Sequence, residues 1–87
     1  MTFASASSLP MSDPTTTLAP AMRTTLNRAA RAWAYYQAGG DKKAARVCYL
    51  AAYGRITIGG NETDRVEWRG NMLDRAACLA LVTSGAL

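Results

Sequence analysis

RITIGGNETDRVEWR, residues 55–69, is the stretch that decides between two folds for this chain. Apolar residues alternate with polar ones near both of its ends, which is the period of a half-buried strand. These apolar residues are Ile56, Ile58, Val66 and Trp68. In the same stretch, Asn61 is followed three positions later by Asp64, which is typical of a helix start. The alternation favours a β-hairpin, and the Asn–Asp spacing favours a helix.

We favour the helix, because apolar residues continue at helical spacings beyond this stretch. They are Val66, Leu73, Ala77, Ala80 and Leu81. Asn61 would cap this helix and Gly85 would end it. Gly70 in its interior costs about 1 kcal/mol relative to alanine. The sequence therefore predicts an all-α fold in which a C-terminal helix follows two earlier ones.

The alternative is an α+β fold with a hairpin over residues 55–69. A six-residue motif is compatible with it, because GNETDR at 60–65 recurs loosely as GNMLDR at 70–75. Asn71 would then cap a fresh helix after the hairpin.

The two earlier helices form a helical hairpin. The first is predicted over about residues 20–38, where one apolar stripe runs at helical spacing through Met22, Leu26, Ala29, Trp33 and Tyr36. Asp41 can cap the second, which extends to about residue 53, and Gly54 ends it. Its apolar residues lie on two sides, so we expect it to be sandwiched between the other helices.

The domain boundary is predicted at residue 20. Residues 1–19 are rich in serine, threonine and proline and lack periodicity, which indicates a flexible tail. Residues 20–87 then form one small domain. Met11 is a second candidate for the translation start besides Met1.

Composition argues against enzymatic chemistry. The chain has no histidine, so the usual general base is missing, and Cys48 and Cys78 lack the spacing of a zinc site. The paired glycines fit no phosphate-binding motif. We therefore expect no catalytic residues, no metal and no cofactor. The apolar runs are too short to span a membrane and no secretory signal is recognisable, so we expect a cytoplasmic protein.

Positive charge is concentrated in residues 21–60, which carry seven basic side chains and one acidic one. The predicted basic face comprises Arg28, Arg31, Tyr35, Lys42, Lys43 and Arg46. Such a face can neutralise phosphates while the tyrosine stacks on an unpaired base, or it can steer an acidic protein.

Apolar surface exceeds what a three-helix domain can cover, which indicates a partner. The predicted apolar face comprises Trp68, Met72, Arg75 and Leu79, with Tyr49 and Tyr53 on the second helix. The sequence therefore predicts a non-enzymatic protein–protein interaction module that binds another protein or a second copy of itself. Size and composition suggest an adaptor or an inhibitor encoded by a phage or mobile element and acting on a bacterial protein. The alternative is a basic, helical nucleic-acid-binding protein.

Overall fold

The structure is a computed structural model that describes residues 20–87. Helices α1 (Pro20–Gly39) and α2 (Lys42–Tyr53) pack against each other. Four short strands follow: β1 (Ile56–Ile58), β2 (Asn61–Thr63), β3 (Val66–Trp68) and β4 (Asn71–Leu73). Helix α3 (Arg75–Thr83) ends the fold. The predicted flexible tail and the alternative start at Met11 lie outside the described residues.

The all-α prediction is wrong. The described residues form three helices and two antiparallel two-stranded sheets, so the fold is α+β, which was the alternative class. The single hairpin over residues 55–69 is not formed either, because β1 pairs with β2 and β3 pairs with β4. Asn61 and Asn71 cap no helix, since each begins a strand.

A ten-residue repeat explains the two hairpins. ITIGGNETDR at 56–65 and VEWRGNMLDR at 66–75 share one plan, with three strand residues, a two-residue turn, three strand residues, aspartate and arginine. Both turns place both central residues at positive φ, with values of 50° at Arg69 and 85° at Gly70 in the second. Two-residue hairpins favour such turns because their twist matches that of the strands, and glycine adopts this conformation without strain.

The register of each hairpin determines which side chains reach the core. In the second hairpin, Val66 pairs with Leu73 and Glu67 with Met72. Paired residues share a face, so Val66, Leu73 and Trp68 lie on the side that packs against the core. Met72 lies on the opposite face and is 63% exposed. The first hairpin contributes Ile56 and Ile58 to the packing.

Local capping sets the ends of α2 and α3. The Asp41 side chain accepts a hydrogen bond from the backbone N–H of Ala44 at 3.2 Å, and Gly54, at φ 83°, closes α2 as predicted. Helix α3 begins later than predicted, because Asp74 accepts from the N–H of Ala77 at 3.0 Å.

Helix α2 is the centre of the core. It contacts α1, α3, β1 and β3, and six of the ten fully buried apolar residues lie on it. The six are Ala44, Ala45, Val47, Cys48, Leu50 and Ala51. The expectation that the second helix lies between the first and third agrees with these contacts.

Arg75 joins the start of α3 to the end of α2. Its Nε donates to the carbonyl of Ala51 at 3.1 Å and its Nη2 to that of Ala52 at 3.0 Å. The last carbonyls of a helix lack partners within the helix and carry partial negative charge, which a guanidinium complements.

The turn conformation yields a first prediction. Gly70→Ala should destabilise the protein by about 1–2 kcal/mol, because a β-carbon is unfavourable at positive φ. Gly39→Ala is the matched control: an added β-carbon has nothing within 4 Å at either position, but Gly39 is helical. The control should be neutral or stabilising by up to about 1 kcal/mol in urea unfolding. If Gly70→Ala stabilises instead, residue 70 is helical and the hairpin is wrong.

A second prediction concerns Arg75. Arg75→Ala should lower the free energy of unfolding by about 2 kcal/mol, because it removes two charge-assisted hydrogen bonds to helix carbonyls. Arg65→Ala removes the corresponding, exposed arginine of the first repeat unit and should change that free energy by less than about 0.5 kcal/mol. Equal effects of the two substitutions would contradict the role assigned to Arg75.

Candidate binding groove

A surface groove lies where α1, α2 and β1 meet. Its volume is about 380 Å³. The lining residues are Trp33, Gln37, Lys42, Ala45, Arg46, Tyr49, Ile56 and Thr57. Trp33 and Gln37 come from one side of α1, and Ala45 is 2% exposed, so a methyl group lies at the buried side of the groove.

Three α2 residues that line the groove, Lys42, Arg46 and Tyr49, share one face of the helix with Tyr53, which adjoins the groove through its contact with Tyr49. Lys42, Arg46, Tyr49 and Tyr53 recur at spacings of four, three and four, which places them on one face of a helix. The two cations occupy the N-terminal part of this face and the two tyrosines the C-terminal part. From Lys42 to Tyr53 the helix rises about 16 Å.

Three aromatic rings form a continuous cluster at the C-terminal part of this face. The ring centroids of Trp33 and Tyr49 are 5.4 Å apart in an edge-to-face arrangement. Those of Tyr49 and Tyr53 are 4.7 Å apart. Trp33 also packs against the core, whereas Tyr53 is 55% exposed. The aromatic cluster is therefore anchored at one end and offers ring surface at the other.

No salt bridge in the described part of the chain neutralises the positive charge of the groove. Within residues 20–87, the ion pairs join Lys43 to Glu67 at 3.9 Å and Arg55 to Glu62 at 3.5 Å, and neither includes Lys42 or Arg46. Both groove cations are exposed.

The predicted basic face is divided among three surfaces. Lys42 and Arg46 line the groove, and Lys43 faces the second hairpin, where it pairs with Glu67. Three others lie on the side of α1 opposite Trp33 and are exposed: Arg28, Arg31 and Tyr35. Tyr35 therefore points away from the side of α1 that lines the groove.

The predicted apolar face does not form a helical stripe. Trp68 lies on β3 and Met72 on β4, whereas Leu79 lies on α3. A spacing of four residues places side chains on one side within a single helix or strand, but Trp68 and Met72 lie on different strands, and the register puts them on opposite faces of the hairpin. Trp68 and Leu79 are half-buried against the core, and the guanidinium of Arg69 lies 5.1 Å from the Trp68 ring.

The remaining members of that face have other surroundings. Arg75 is engaged by helix carbonyls, and Tyr49 and Tyr53 belong to the aromatic cluster. Trp33, Gln37 and Thr57 were not predicted as site residues. The spacing from Lys42 to Tyr53 was readable in the sequence, but the packing of Trp33 on Tyr49 joins different helices.

Cys48 and Cys78 are fully buried. Burial raises the pKa of each thiol from 9.0 to about 11, with smaller contributions from nearby acids, Asp41 for Cys48 and Asp74 for Cys78. Both are therefore protonated at neutral pH and are poor nucleophiles. In the part of the chain that the structure describes, no three Cys, Asp or Glu side chains come together as a metal site would require.

Comparisons with known proteins give no further lead to function. No protein-family model, curated protein or solved structure matches this chain. Over residues 20–87, none of the helices combines the length and apolarity that crossing a membrane requires. Function is therefore inferred from the groove itself.

The buried thiols yield a third prediction. In the unfolded chain they ionise near pH 9, but in the folded protein only near pH 11, so folding stability falls as pH rises through this interval. Urea unfolding at about pH 8 and about pH 10 should show the loss, which for complete titration approaches roughly 2–3 kcal/mol per thiol. Cys48→Ala should show a smaller loss than the wild type over the same interval. An unchanged loss would contradict the raised pKa of Cys48.

Proposed function

We propose that this protein is a non-enzymatic binding module whose groove between α1, α2 and β1 takes a negatively charged segment of a partner. One observation carries the proposal: two exposed cations, Lys42 and Arg46, lie beside the aromatic cluster and have no salt-bridge partner among the residues that the structure describes. Elsewhere on the same helix, the neighbouring Lys43 is paired with Glu67. The groove thus combines two exposed cations with adjacent ring surface, which a foreign anion can contact together.

Electrostatics and packing have separate roles in this site. Exposed cations raise the rate of encounter with an anionic partner, and their contribution weakens with salt. The aromatic cluster adds contact area with little loss of side-chain freedom, because Trp33 and Tyr49 are already held by packing. Binding by this groove needs no catalytic group.

The wider biological setting is also a proposal. An adaptor or inhibitor encoded by a phage or mobile element could work through such a groove, and the small size of the chain supports this setting. A cytoplasmic location is supported by Cys48 and Cys78 being buried as free thiols. Association with another protein or a second copy through the predicted apolar face stays a prediction. Its structural support is the exposed side chain of Met72.

The fourth prediction tests the groove with generic polyanions. Inorganic polyphosphate and polyglutamate should both bind at low salt, as measured by titration calorimetry. The double variant Lys42→Ala/Arg46→Ala should weaken both by about tenfold, because two exposed charge contacts are lost.

The matched control is Arg28→Ala/Arg31→Ala, which removes the same charge from the opposite side of α1. It should change the affinity by less than about twofold, since only the long-range field is altered. Equal weakening by both double variants would mean that net charge rather than the groove determines binding, and the proposed function would fail.

A further inference from the structure

We propose, resting on the function above, that the segment bound in the groove is single-stranded nucleic acid, with Lys42 and Arg46 on neighbouring phosphates and a base stacked on the aromatic cluster. The juxtaposition of cations and rings along one helix face carries this inference. Proteins that bind single strands combine a positive groove for the backbone with aromatic side chains for the bases.

The cations fit a backbone that carries one charge per nucleotide. Lys42 and Arg46 are separated by one helical turn, a rise of about 6 Å, so each can contact its own phosphate on an extended strand. Neither has a salt bridge to break first within residues 20–87. The α2 face from Lys42 to Tyr53 is about 16 Å long and accommodates roughly three nucleotides, close to the smallest sites of known single-strand binders.

The aromatic cluster distinguishes a nucleic acid from an acidic peptide. Aspartate and glutamate side chains can neutralise the two cations, but a negatively charged carboxylate does not stack favourably on the electron-rich face of the Tyr53 ring, which is 55% exposed. Every nucleotide base has such a face, so stacking is tolerant of sequence. Gln37 also lines the groove, where its amide can hydrogen-bond a base edge.

The same geometry disfavours duplexes. The bases of a duplex are stacked on one another, so the rings of the groove have no base face to meet. A duplex would engage only the two cations through its phosphates. A preference for single strands over duplexes therefore depends on the aromatic rings, because charge alone would not distinguish the two.

The fifth prediction removes the exposed ring. A labelled oligothymidine of about 12 nucleotides should bind at low salt more tightly than the matching duplex, by fluorescence anisotropy. Tyr53→Leu should weaken oligothymidine binding by about tenfold, because leucine keeps apolar bulk but offers no stacking face. The same variant should leave polyphosphate binding unchanged.

Tyr35→Leu is the matched control, since Tyr35 is also exposed, at 74%, but lies opposite the groove. It should bind oligothymidine like the wild type. Tryptophan fluorescence gives a second readout: in a Trp68→Phe background, oligothymidine should quench Trp33, the remaining tryptophan.

The outcomes separate the two proposals. If polyphosphate binding depends on Lys42 and Arg46 but Tyr53→Leu leaves oligothymidine binding unchanged, the nucleic-acid inference fails and the anion-binding function stands. Equal affinity for duplex and single strand would also overturn the inference. If no polyanion binds in a manner that depends on the groove cations, both proposals fail.

Discussion

The burial of α2 on three sides is the constraint on which the rest of the structure depends. Three of its six buried residues are alanines, Ala44, Ala45 and Ala51, and these small side chains allow the neighbouring elements to approach closely. Apart from the exposed Lys43, a helix enclosed in this way keeps one stripe for solvent, beside the groove. On that stripe lie Lys42, Arg46, Tyr49 and Tyr53, so the packing of the core also determines the composition of the groove.

Local signals predicted the first half of the fold well. The ends of α1 and α2 depend on neighbours in sequence, such as the Asp41 cap and Gly54 in the left-handed conformation, and these are readable without the tertiary structure. The predicted extent of the third helix was wrong because its apparent periodicity combined residues of different elements. Val66 and Leu73 pair across a hairpin, whereas Ala77 lies on α3. The full ten-residue repeat, rather than its last six residues, would have indicated two hairpins.

The candidate site was predictable only in part. The helix spacing that aligns Lys42 with Arg46 is a local property. Two facts are tertiary: Lys43 forms an ion pair with Glu67, and Trp33 packs on Tyr49. Both depend on which side of α2 each neighbouring element occupies, and a single sequence contains no local signal for that. The same limitation affected the predicted apolar face, since Trp68 is half-buried by the packing of its hairpin and shares no helix with Met72 and Leu79.

The hydrogen bonds of Arg75 have a consequence for how this chain could change in length. They hold the start of α3 against the end of α2, although the two hairpins separate these points in sequence. An antiparallel hairpin brings the chain back close to where it left, so each ten-residue unit adds little to the distance between the two helices. The first unit contributes half-buried Ile56 and Ile58 to the core, whereas the second supplies fully buried Val66. If hairpin number varied, the helices would keep their contact through Arg75, and the groove, which Ile56 and Thr57 of the first unit line, would change in shape.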